Sequence, residues 1–276
     1  MTTTEQNGAA PGGEPSPSVP KCADGAGVRL AVVDSGVDPS HPWFANAELQ
    51  HRRLDKGGKG YRVVADDGGD QSGHGTACAG IIHRMVPAAT IVSLRALGPD
   101  GRCSRGALIT ALQYCVKERF GVVNLSLGID IPRNTPLKVA DHRPILSLYE
   151  LADLASTLGV ILVASGPNVA QFRTYPGRFK AIIGVGRGTF DELSTLRTAR
   201  TQDHEVLAPG TDVLAPALGG GERRWTGTSF ACPFVTGHVA RILAAHPGLP
   251  IESVKASLHA IAAQQLAAAG FAKEQS

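Results

Sequence analysis

Three short segments hold residue types that could act together. Residues 31–38 read Ala-Val-Val-Asp-Ser-Gly-Val-Asp and put the Asp34 carboxylate at the end of an apolar run. Residues 73–80 read Gly-His-Gly-Thr-Ala-Cys-Ala-Gly and put His74 at a helix start, among glycines that permit close approach. Residues 227–233 read Gly-Thr-Ser-Phe-Ala-Cys-Pro and put Ser229 at the head of a long apolar helix. Singly, each has an ordinary explanation: a strand-end cap, a loop histidine, a helix N-cap. Together they supply what nucleophilic acyl transfer needs. A serine hydroxyl is a weak nucleophile until a base takes its proton. An imidazole titrates near neutrality and serves as that base. A carboxylate fixes its tautomer and stabilises the imidazolium. A helix beginning at the serine adds free N–H groups and a dipole beside a developing oxyanion.

The elements that must hold these residues can be read from pattern. Apolar runs at 28–33, 90–94, 121–125, 159–164 and 181–185 predict buried strands, and helical periodicity predicts helices at 75–84, 105–119, 145–158, 229–245 and 251–263. That alternation predicts an α/β domain around a parallel sheet. Reactive groups in such sheets gather outside the carboxyl ends of the strands, where Asp34 and the loop after Ala164 both fall. No internal repeat is visible. Residues 1–27, rich in Gly, Pro, Ser and Thr, are expected to form a disordered tail, leaving 28–276 as the folded domain.

Composition narrows the class. The chain has 276 residues, 43% of them hydrophobic, enough for a real core, with few aromatics to fill it. A formal charge of +3 without a basic run argues against nucleic acid. The apolar stretches are too short to cross a bilayer, and the N-terminus lacks the pattern of an export signal. Cys22, Cys78, Cys103, Cys115 and Cys232 form neither a CxxC pair nor a metal-ligand spacing. Five free thiols point to a cytoplasmic protein.

The three segments, in the order Asp, His, Ser, resemble the signatures of the subtilisin-like (subtilase) family, from about Val28 to the last helix. The resemblance implies a three-layer subtilisin-like fold, with a mainly parallel central sheet and helices on both faces. It implies a serine endopeptidase with the triad Asp34, His74 and Ser229, suited to processing a peptide or protein precursor. A transpeptidase or macrocyclase on the same triad, or a binding scaffold without catalysis, are the alternatives. It also implies that Asn168, in Ser165-Gly166-Pro167-Asn168, donates its amide to the oxyanion. Pro167 stands where the family has glycine, and it predicts an altered turn around Asn168.

Further roles follow by resemblance. Extended substrate would lie between Gly101-Arg102-Cys103 and Ser126-Leu127-Gly128, a form of strand addition. Ala164, Ser165 and Gly166 would wall the first specificity pocket, with Thr174 as its floor and Ile129 narrowing it, so a modest P1 side chain is expected. Arg105 would border the P4 subsite, where it and Arg102 could meet an acidic residue, or form a solvated pair. Cys103 in the cleft and Cys78 beside His74 are candidate targets for thiol reagents. No cofactor or metal is expected, because Trp43 occupies a position where relatives place a calcium-binding Asp. Asp66, Asp67 and Asp70 read as a solvated loop, with a bound cation as the alternative. Ser16–Lys21 is a candidate to lie across the cleft. The partner expected is a peptide or protein substrate; oligomeric state is left open.

Overall fold

The computed structural model describes residues 23–58, 60–199 and 201–274. In chain order the first strands are β1 (Arg29–Asp34), β2 (Gly36–Val37), β3 (Leu49–Gly57), β4 (Gly60–Ala65) and β5 (Gly69–Asp70). Helix α1 (His74–Met85), strand β6 (Thr90–Arg95) and helix α2 (Arg105–Lys117) follow. Next come β7 (Val122–Leu125), β8 (Ile129–Pro132), α3 (Val139–Thr157), β9 (Ile161–Ser165), β10 (Phe172–Tyr175) and β11 (Ile183–Gly188). The chain continues with β12 (Arg197–Thr198), β13 (Val206–Pro209), β14 (Val213–Pro216), β15 (Glu222–Trp225), α4 (Thr228–Ala245) and α5 (Ile251–Glu274).

Nine strands form the central sheet in the order β12-β13-β11-β9-β7-β1-β6-β3-β4. Its seven inner strands run parallel, and the two edge strands β4 and β12 run antiparallel to their neighbours. Strands covered on both faces read as continuous apolar runs, which is why 29–34 and 161–165 carried a strong sequence signal. One core lies between the sheet and α1, α4 and α5, and a second lies between the sheet and α2 and α3. Each fully buried Leu or Ile there, such as Leu30 or Leu162, contributes about 1.5–3 kcal/mol. Two helical layers around a sheet are the three-layer α/β architecture expected.

Boundaries differ where local chemistry outweighed the apolar pattern. Helix α3 begins six residues before position 145, because Asp141 caps the Lys138 N–H (3.3 Å) and Pro144 is accommodated inside the helix. Helix α5 runs to Glu274, well past 263, through alanine-rich sequence of high helix propensity. The β3–β4 hairpin carried no clear signal, since its residues are only half-buried. Residues 1–22, with Ser16–Lys21, lie outside the described residues. Residues 23–27, assigned by sequence to the tail, pack on the domain: Gly25 is buried, and the Ala88 N–H bonds the Asp24 carbonyl (3.0 Å).

Candidate active site

Strand β1 sits at the centre of the sheet, where the chain switches from building one side (β6) to the other (β7). Such switch points leave a crevice at the carboxyl ends of the strands. Asp34 is the last residue of β1 and is buried there. Its Oδ1 accepts the Ser35 N–H (2.8 Å) and lies 2.7 Å from Nδ1 of His74. His74 opens α1 directly after Gly73, whose φ of 83° suits glycine. Gly75 lets the helix touch strand β2: a Cβ there would lie 2.1 Å from the Gly36 carbonyl oxygen.

Asp70 ties these two elements together. Its carboxylate accepts from Ser35 Oγ (2.6 Å) and from the N–H groups of Ser72 (3.0 Å), Gly73 (2.9 Å) and Thr76 (2.8 Å). It also takes the Thr76 hydroxyl (2.6 Å). Ser35 Oγ in turn accepts the Gly75 N–H (3.0 Å). Burial opposes this charge, but the hydrogen bonds from Ser35 and Thr76 outweigh it and hold Asp70 below the ordinary carboxylate range. The reading of Asp66, Asp67 and Asp70 as a solvated loop is therefore corrected for two of the three. Asp66 pairs with Arg95 (2.7 Å) and Arg53 (3.8 Å), and only Asp67 is exposed. An Asp four residues before the His, with a Thr two residues after it, was the signal available in sequence.

Ser229 lies in the first turn of α4, where backbone N–H groups lack intrahelical partners. Its hydroxyl donates to the Ser126 carbonyl (3.1 Å) rather than to His74. Behind it, Thr236 Oγ1 donates to Asn124 Oδ1 (3.0 Å), Asn124 Nδ2 to Ser126 Oγ (2.9 Å), and Ser126 Oγ to the Ser229 carbonyl (2.8 Å). This chain of bonds locks the Ser229-bearing turn to β7.

Asn168 follows β9. Its Oδ1 accepts the Thr228 N–H (2.9 Å), which leaves Nδ2 as the donor of the side chain; Asn168 itself is not among the residues lining the cleft described below. Pro167 does not prevent this. Gly166 is pinned on both sides, its N–H on the Val185 carbonyl and its own carbonyl on Thr228 Oγ1 (both 2.8 Å).

A cleft of about 570 Å³ opens over these groups. Among the expected residues, His74, Ser229, Gly101, Arg102, Cys103, Arg105, Ser126, Leu127 and Gly128 line it. Ala164, Ser165, Gly166 and Thr174 do not; they are buried behind it. The reason is packing. Thr174 Oγ1 donates to Asp130 (2.5 Å) across the β8–β10 pair, and a Cβ added at Gly128 would lie 2.6 Å from the Thr174 methyl group. His204 fills the space against Gly166.

Arg105 is not part of a solvated pair: it makes an ion pair with Asp141 across α2 and α3. Sequence reading missed Arg223 and Trp225, which reach the cleft from β15. Trp225 meets the His74 ring edge-on, with centroids 6.5 Å apart. The signal was Arg223-Arg224-Trp225 directly before Gly227-Thr228-Ser229.

Burial disfavours the imidazolium at His74, but the adjacent Asp34 carboxylate outweighs it and raises the pKa above the ordinary value. Cys78 is fully buried, and burial pushes its thiol up, so it faces His74 uncharged. Burial also raises Cys103 to about 11. Neither is the thiolate that thiol reagents require at neutral pH. Asp34, His74 and Cys78 form the one His/Cys/Asp/Glu cluster close enough to hold a metal ion among the described residues.

Residues 25–275 match the model of the Subtilase family. The chain is 28% identical to an "Intracellular serine protease" of Paenibacillus polymyxa, over 82% of this chain and 70% of that one. It is 27% identical to Subtilisin E of Bacillus subtilis (strain 168), over 81% of this chain, and spans 57% of that relative's length. Its fold superposes on a cold-adapted subtilisin-like serine proteinase with a TM-score of 0.66 and 24% identity, covering 87% of this chain and 83% of that one.

Proposed function

The chain belongs to the subtilase family of serine peptidases, and we propose that it is an endopeptidase that hydrolyses peptide bonds through Asp34, His74 and Ser229. The observation that carries this reading is the convergence of the His74–Asp34 pair and the head of α4 on one cleft. In this mechanism His74 takes the Ser229 proton, Ser229 attacks the scissile carbonyl, and the oxyanion is met by the Ser229 N–H and Asn168 Nδ2. His74 then returns the proton to the leaving amine, and water resolves the acyl-enzyme.

The bond from Ser229 to the Ser126 carbonyl adds a step. Ser126 lies on one of the edges assigned to substrate. A substrate N–H that takes this carbonyl releases the hydroxyl to His74, so strand addition and nucleophile activation are coupled. Catalytic hydrogen bonds commonly tighten only in the complex.

Ile129 at the cleft wall supports a modest residue before the scissile bond. We place the enzyme inside the cell, processing a peptide or protein precursor. The four described cysteines are free thiols, and one relative is named as an intracellular protease.

A fluorophosphonate probe with a Ser229→Ala control tests the nucleophile. The expected result is label on Ser229 by peptide mass spectrometry and none on the control. Folded wild-type protein that stays unlabelled overturns the catalytic reading.

A further inference from the structure

The charge of the cleft is one-sided. Arg102, Arg105, Arg223 and His74 line it, and no Asp or Glu among the described residues does. The three arginines are not equivalent. Arg105 is answered by Asp141. Arg102 and Arg223 make no ion pair among the described residues. Asp100 is near Arg102 in sequence, but its Oδ1 accepts the Arg102 backbone N–H (3.1 Å) and lies over Gly98 within the turn. Arg223 is stacked on Trp225, its guanidinium carbon 3.3 Å from the ring centroid. Stacking fixes the guanidinium plane and leaves its edge N–H groups free for a carboxylate.

These two arginines reach the cleft from different elements. Arg102 lies on the 101–103 edge beside the Gly98–Gly101 turn. Arg223 comes from β15, whose Trp225 abuts His74. The leaving amine of a scissile bond must come within reach of the imidazole that protonates it. The half of the substrate after that bond therefore runs past His74 towards β15, and the half before it lies along the strand edges.

We propose that this cleft selects acidic peptides, holding one carboxylate before the scissile bond at Arg102 and a second after it at Arg223. This rests on the peptide-cleft reading above but not on catalysis itself. Charge-assisted, bidentate arginine–carboxylate bonds supply the selectivity, and their mutual spacing sets the register of the bound strand.

Binding to full-length Ser229→Ala protein tests the inference apart from turnover. Fluorescence polarisation would compare labelled extended octapeptides of one sequence carrying Glu, Gln or Lys before, after, or on both sides of a small central residue. The Glu peptide is expected to bind at least about tenfold more tightly than the Gln peptide at low ionic strength, with Lys weakest. The gap narrows as salt rises. Arg102→Glu abolishes the preference only at the leading position and Arg223→Glu only at the trailing one. Equal affinity of the three peptides, or preferences unmoved by both reversals, overturns the inference. Acidic preference together with an unlabelled Ser229 in wild-type protein keeps it and removes the peptidase reading instead.

Discussion

His74 can serve as a base only in the pH range where it is neutral. Burial favours the neutral ring, yet the Asp34 carboxylate at 2.7 Å favours the charged one and prevails. A raised pKa means that the proton leaves His74 only above the ordinary value near 6.5. In the proposed mechanism kcat/KM is therefore low in acid and rises through an apparent pKa above about 6.5. Asp34→Asn leaves burial unopposed, so that pKa falls, and kcat drops by about 10⁴ as the tautomer is lost. A pH profile of each protein on a peptide substrate checks both effects; a midpoint that Asp34→Asn does not lower counts against the assignment. The same scale explains the tolerance of Pro167. The atoms that matter around it are the Gly166 N–H and carbonyl and the Asn168 side chain, and all three keep partners.

At the level of elements, the positions of β1 and α1 relative to each other decide whether Asp34 and His74 meet. Asp70 joins them through Ser35 and the first turn of α1, and its charge also suits the positive end of the helix. Asp70→Asn keeps the shape but turns an NH₂ group towards donors. It is expected to cost about 2 kcal/mol, read as a fall of about 4–8 °C in Tm. It should also lower kcat more than it raises KM, because it disturbs the base rather than the cleft. An unchanged kcat would make Asp70 a structural residue only. Its depressed pKa carries a sign as well. The stability it contributes is present above the unfolded value near 3.8 and disappears as pH falls through the folded one.

Across the molecule, a buried histidine away from the cleft adds to the loss of stability in acid. His238 lies within α4, bonded through Nε2 to the Ser194 carbonyl (3.0 Å), and burial lowers its pKa to about 4. Between pH 6.5 and 4 the unfolded chain binds a proton there that the folded chain does not, so stability falls as pH falls through that window. Thermal melts across it should show Tm declining, with a shallower slope in His238→Gln; equal slopes would assign the decline elsewhere. By itself the sequence determined the architecture and where the candidate residues Asp34, His74 and Ser229 fall in it. Doubly covered parallel strands must be continuously apolar, and Asp34, His74 and Ser229 sit at strand ends and helix starts that the pattern locates. Tertiary structure alone decided the rest, because it depends on contacts between residues far apart in the chain. Asp70 bonding to Ser35 across 35 residues, Thr174 buried against Asp130 across 44, and Arg105 neutralised by Asp141 across 36 leave no periodic trace. The charge of the cleft was likewise decided in space, since Arg102 and Arg223 come to line one cleft only when β15 folds back beside His74.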